Sequence, residues 1–173
     1  MLLGARTRVH PRALERLVAT YSRLGEHGAC WFVLGGAGAI LDAPPDHRQR
    51  WLRGMRIVAT SYGLNFLVKL AARRRRPELG GLPPLTGTVS RLSFPSAHCT
   101  TSFAAARAFR GLAPTRSLYA AAVAFALSRP YLGVHYPSDV LAGALLGTAI
   151  AEAWPPTPHA PRPSPDPGRE AGS

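Results

Sequence analysis

Apolar positions at Leu14, Leu17, Val18, Tyr21 and Leu24 recur with helical spacing among Arg12, Arg16 and Arg23, which predicts an amphipathic helix within residues 1–27. Such a helix suits a membrane surface, and an ordinary half-buried helix fits the same pattern. Its arginines run past any apolar signal region, so no signal peptide is expected. Residues 28–41 form the first continuous apolar run, short of the about 20 residues that cross a full bilayer. The turn Asp42-Ala43-Pro44-Pro45-Asp46 ends it. Four further helices are predicted over 51–72, 96–112, 115–129 and 137–154. The Gly/Pro-rich connection 77–94 is long enough to be functional or mobile. From Pro155 onward seven prolines fall within residues 155–173, which reads as an extended tail with no core role.

The expected fold is all-α: an antiparallel helical bundle of about five core helices, residues 28–154, preceded by the amphipathic helix of 1–27 and followed by the tail of 155–173. Small residues at Gly35, Gly36, Gly38, Ala104–Ala106, Ala120–Ala122, Gly143 and Gly147 suit closely packed membrane helices, so a transmembrane, multi-pass bundle in the cell membrane is expected. A mean hydropathy of +0.00 and the charges of Arg107 and Arg110 keep a soluble bundle open as the alternative. Antiparallel connectivity makes a geometric prediction. The end of the second helix, the start of the third, the end of the fourth and the start of the fifth should meet at one end of the bundle.

Charge narrows the partners. The net charge is +12, which points to nucleic acid, acidic lipid or a phosphorylated substrate. No zinc-ligand spacing, ribonucleoprotein motif or basic region with heptads is present, so no nucleic-acid partner is expected. Lys69 is the single lysine among twenty arginines. The Arg, Ala, Gly and Pro bias fits a GC-rich bacterial genome. Cys30 and Cys99 read as small packing residues, and two cysteines make no disulfide framework. No cluster of Asp, Glu, His or Cys has metal-ligand spacing, so neither metal nor cofactor is expected. Oligomeric state leaves no readable pattern.

Three stretches carry chemistry at the predicted meeting point. Lys69 and Arg76 stand seven apart before Pro77, on one face if the helix runs on to that proline. Pro95-Ser96-Ala97-His98 reads as a helix start, whose unpaired amides favour an anion beside His98. Ser128-Arg129 precedes His135 and Asp139, with Pro137 suited to the first helical position. There Asp139 is favoured by the helix dipole and within reach of His135. Arg129 offers a planar fork for phosphate oxygens, whereas Arg73, Arg74 and Arg75 read as a solvated face.

Together these stretches resemble the three-part signature of the type 2 phosphatidic acid phosphatase superfamily, which includes lipid phosphatases and vanadate-dependent haloperoxidases. Lys69, Arg76, Pro77, Pro95, Ser96, His98, Ser128, Arg129, His135 and Asp139 occupy its ten characteristic positions. Ala97 stands where glycine is commoner and still presents its amide. The resemblance implies a metal-independent phosphatase with His135 as nucleophile, Asp139 orienting it and His98 as acid and base. Lys69, Arg76, Ser96, the Ala97 amide and Arg129 would bind the phosphoryl group. The implied partners are a lipid phosphate and membrane lipids. The small size and compositional bias resemble actinobacterial members acting on decaprenylphosphoryl-5-phosphoribose. Undecaprenyl diphosphate, phosphatidic acid and phosphatidylglycerol phosphate stay open. So do two other classes: a soluble acid phosphatase or vanadate-using oxidase, and a basic anion-binding module without turnover. The basic residues would place the site in the cytoplasm by the positive-inside rule, while many members of the family face outward.

Overall fold

The computed structural model describes residues 12–42, 44–78, 84–88 and 90–155. The described residues form the helices α1 (Arg12–Leu24), α2 (Ala29–Leu41), α3 (Pro45–Ala72), α4 (Ala97–Ala108), α5 (Thr115–Tyr131) and α6 (Pro137–Ala153), with a 3-10 turn at Glu26–Gly28. No strand lies among them, only isolated bridges, so the all-helical expectation holds. The proline-rich tail beyond Pro155 and the first eleven residues lie outside the described residues.

Proline occupies the first turn of both α3 and α6, where its missing amide costs no helical hydrogen bond. α3 therefore starts at Pro45, earlier than the predicted 51. It also ends earlier than the Lys69–Arg76 spacing suggested. Arg73 adopts the left-handed conformation, with φ 48, and its amide bonds back to the Lys69 carbonyl at 3.1 Å. Left-handed residues commonly close a helix this way. The following residues pair instead with the connection ahead of α4, through an Arg75–Leu92 bridge and a Ser93 N–H to Arg74 carbonyl bond of 2.7 Å. Lys69 and Arg76 are thus not on one helical face. The third predicted helix is likewise trimmed at both ends, to Ala97–Ala108.

α4 lies at the centre, against α3, α5 and α6. Ala104, Ala105 and Ala106 are fully buried. Around α4, Trp31, Trp51, Phe109, Leu118 and Phe125 make the main apolar cluster. Each large apolar side chain so buried contributes about 1.5–3 kcal/mol. Sequential neighbours run antiparallel: Asn65 of α3 meets Thr100 at one end of α4, and Gly54 meets Phe109 at the other. α4 and α6, separated by α5 in sequence, instead lie parallel with their starts together. The Ser96 amide donates to the Asp139 carbonyl at 3.0 Å. Two glycines allow this approach. A Cβ on Gly143 would stand 2.6 Å from the Ser96 carbonyl oxygen, and one on Gly147 would run into the Thr100 backbone.

Among the described residues no helix is long and apolar enough to cross a membrane. α2 is apolar but has 13 residues. α3 has 28 residues but carries Arg53, Arg56 and Lys69. The helices nevertheless turn large apolar side chains outward, among them Val33, Ile40, Leu41, Leu67, Leu127, Leu141 and Leu145.

Candidate active site

The predicted convergence is present. A half-open cleft at one end of the bundle is lined by Lys69, Arg76, Ala97, His98, Arg129 and His135. These come from the end of α3, the connection after it, the start of α4, the end of α5 and the α5–α6 connection. Ser96 and Asp139 lie directly behind this lining, joined by the α4–α6 backbone contact. All eight residues singled out in the sequence therefore meet in one place.

The acidic end is over-supplied with donors. Asp139 is fully buried. Its Oδ2 accepts the Tyr136 amide at 2.9 Å and the Ser93 hydroxyl, and its Oδ1 accepts Arg74 Nη1 at 2.9 Å. His135 Nδ1 lies 3.5 Å from Asp139 Oδ2, longer than a formed N–H···O bond but close enough for an electrostatic hold. On the other side of the ring, Arg76 Nη1 approaches His135 Nε2 at 3.2 Å. A guanidinium can only donate, so Nε2 carries the lone pair and Nδ1 the proton that faces Asp139. Burial pushes the imidazole down to about 4, opposed by the Asp139 contact and reinforced by Arg76, Arg129 and Lys69. His135 is thus neutral at pH 7.

The cations are held differently from one another. Arg76 Nε donates to the Ser90 carbonyl at 2.9 Å and its Nη1 to the Val134 carbonyl at 2.7 Å. Burial lowers its proton affinity and Asp139 opposes that. Lys69 Nζ is pinned by the carbonyls of Leu92, Ser93 and Pro95 at 3.3, 3.3 and 2.9 Å. Its charge faces the cleft while its protons fix the connection leading into α4. Arg129 is only 4% exposed and donates Nη1 to the Ser22 hydroxyl. The Arg129 Nε and the Ser96 Oγ are buried without a hydrogen-bond partner. Orphaned buried donors are costly and rare, and Arg129 lines the cleft, where an anion's oxygens would satisfy its Nε.

The remaining histidine faces the first helix. His98 Nε2 is 2.9 Å from the Ser22 carbonyl. A carbonyl only accepts, so Nε2 carries the proton and Nδ1 is the lone-pair nitrogen. Ser22, 2% exposed, therefore touches both Arg129 and His98. Sequence reasoning missed it, because a serine on an amphipathic helix carries no signal. Ser93 and Arg74 were missed as well. Arg74 was expected in a solvated face, but it pairs with Asp139 and stacks over the Tyr136 ring at 4.0 Å. Arg73 and Arg75 are exposed, as expected.

A cleft that brings three cations together with His98 and His135 over a buried carboxylate suits an anionic ester. The chain belongs to the PAP2 superfamily, whose family model matches residues 54–161. It is 42% identical over 125 residues to decaprenylphosphoryl-5-phosphoribose phosphatase of Mycolicibacterium smegmatis, covering 70% of this chain and 67% of that protein. The protein of the same name from Mycobacterium tuberculosis is 41% identical over 130 residues, covering 75% and 72%. A solved structure, the first transmembrane PAP2 type phosphatidylglycerolphosphate phosphatase from Bacillus subtilis, superposes with a TM-score of 0.67 at 25% identity. That match covers 87% of this chain and 79% of the other. The enzyme class expected from the motifs, a phosphoric ester hydrolase, agrees with the names of these relatives.

Proposed function

We propose that this protein is a membrane phosphatase that hydrolyses a polyprenyl-linked phosphomonoester, decaprenylphosphoryl-5-phosphoribose first, through a phosphohistidine on His135. The observation that carries the reading is the His135 ring itself. It is neutral, with its Nε2 lone pair directed to the Arg76 cation and its Nδ1 backed by buried Asp139. On substrate binding, the Arg76, Arg129 and Lys69 charges and the Ala97 amide and Ser96 hydroxyl hold the phosphoryl oxygens as negative charge builds.

His135 Nε2 attacks phosphorus in line. The N–P bond forms while the bond from phosphorus to the leaving oxygen breaks. His98, its Nε2–H anchored on the Ser22 carbonyl, takes the proton of the incoming phosphate monoanion at Nδ1 and passes it to that oxygen. In the second half His98 Nδ1 takes a proton from water, the water oxygen attacks phosphorus, and the N–P bond breaks to release phosphate. Asp139 stabilises the charge that develops on His135 in both halves. Three cations supply the electrostatic stabilisation, so the reaction is metal-independent.

The outward-facing apolar residues of α2, α5 and α6 support a membrane location. In that setting α1, with Leu17 and Leu24 exposed, rests at the lipid interface. The substrate preference follows the relatives named above. Phosphate release by the detergent-purified chain from decaprenylphosphoryl-5-phosphoribose, undecaprenyl diphosphate and phosphatidic acid tests it. Fastest release from the first, undiminished by EDTA, is expected. Preference for either other lipid would refute the substrate assignment, and loss of activity with EDTA would refute metal independence.

A further inference from the structure

We propose that Glu26, His27 and Tyr62 form a rim that reads the leaving group, selecting an ester whose scissile oxygen is borne by a hydroxyl-rich carbon skeleton. The proposal rests on the phosphatase reading above and extends it to the half of the substrate that the cations do not touch.

The cleft is lined by groups of both signs. Lys69, Arg76 and Arg129 line its cationic part, while Glu26, His27 and Tyr62 line the same cleft from the turn after α1 and from α3. A phosphoryl group held by the cations must project its leaving group toward the remaining wall. That wall is brought close by backbone geometry. A Cβ on Gly25 would stand 2.6 Å from the Phe125 ring and 2.9 Å from His98 Cδ2, so only glycine lets the turn sit against the proposed proton donor. His27 then takes the left-handed conformation, with φ 53, ahead of Gly28 with φ 75. Histidine is among the few non-glycine residues that tolerate this region, at some cost. From there its Nδ1 meets the Tyr62 hydroxyl at 2.6 Å, which ties the turn to α3 beside the cleft.

The chemistry of this wall disfavours two kinds of leaving group. A diphosphate would set its second phosphate next to the scissile oxygen, where the Glu26 carboxylate repels it. An alkyl chain attached directly to the scissile oxygen would find one apolar partner in Phe66 but would cover a carboxylate, an imidazole and a phenol without offering them a partner, and unpaired polar groups are costly. A sugar or other polyol satisfies both conditions. Its hydroxyls donate to Glu26 and accept from the Tyr62–His27 pair. Sites built to hydrogen-bond hydroxyls discriminate strongly against analogues that lack them.

The test uses the full-length chain in detergent and three probes with one prenyl chain: farnesylphosphoryl-5-phosphoribose, farnesyl phosphate and farnesyl diphosphate. Released phosphate gives kcat/KM for each. The wild type is expected to prefer the ribose ester over both others. Tyr62→Phe should lower the ribose-ester to farnesyl-phosphate ratio about fivefold to tenfold, the effect of one lost hydrogen bond. Glu26→Gln should raise farnesyl diphosphate relative to the ribose ester by at least about fivefold, since it removes the repelling charge. Active variants with unchanged ratios, or a wild type that prefers farnesyl diphosphate, would overturn the rim. If His135→Ala releases phosphate as fast as the wild type, the phosphohistidine reading fails first, a result separable from unchanged ratios.

Discussion

The two walls of the cleft are made in different ways. One is assembled from Lys69, Arg76, Ser96, His98, Arg129, His135 and Asp139, held by helix termini and by the backbone contact between Ser96 and Asp139. The other is the end of α1 and the Glu26–Gly28 turn, which reach the site through Ser22 and Gly25. In the proposed mechanism the first wall carries the groups that change bonding during hydrolysis. The second touches two of them, His98 and Arg129, through Ser22 and in the same proposal faces the leaving group. Reaction chemistry constrains the first wall to particular residue types at particular spacings. Packing constrains the second only to whatever fills and touches.

This difference predicts an ordered set of losses. His135→Ala should lower kcat on the order of 10⁴-fold or more, as expected when a nucleophile is removed, measured as phosphate release with the detergent-purified chain. Arg129→Lys keeps a charge but removes the fork whose Nε is buried and unpartnered. A loss of about 10²–10³-fold is expected, the magnitude for one donor to developing charge. Ser22→Ala removes one hydroxyl from Arg129 and keeps the carbonyl that holds His98, so about a tenfold loss is expected. If Ser22→Ala were as damaging as Arg129→Lys, the second wall would hold more than a positioning role.

Stability sharpens the contrast from another side. Gly147→Ala drives a Cβ into the Thr100 backbone, where no flexible side chain can yield. It should destabilise by about 1–3 kcal/mol, read as a lowered Tm in detergent, with weaker activity because α6 carries Asp139. Gly36→Ala meets nothing within 4 Å and should leave Tm unchanged or slightly raised. The smallest effect expected is on pH dependence. His135 is held down at about 4 by burial and titrates near 6.5 when unfolded. Between those values the unfolded chain binds the extra proton, so stability rises with pH across that window. The acid limb of kcat/KM should fall well below an ordinary histidine's pKa. An acid limb near 6.5 would show that His135 is solvated.

Much of the first wall was legible in the residues because its chemistry fixes their types and spacing. The Lys69–Arg76 pairing was legible as a pattern but not as geometry. Left-handed Arg73 and the Arg75–Leu92 bridge replace the expected helical face with an extended return. The helices themselves follow their apolar runs, with ends shifted where Pro45 starts α3 ahead of the predicted 51 and where the chain leaves α4 at Phe109. Arg74 shows the limit of local pattern. Within a run of four arginines nothing distinguishes the one that pairs with Asp139, because the partner lies 65 residues away in sequence. Ser22, 76 residues from His98, is hidden for the same reason.

The most direct test of the account is whether a phosphoryl group resides on His135 during turnover. Rapid quenching of the wild type with substrate under alkaline conditions, followed by peptide mass spectrometry, should find a phosphoryl adduct on the peptide bearing His135 and none in His135→Ala. An adduct on another residue, or full turnover with no adduct at the shortest quench times, would contradict it.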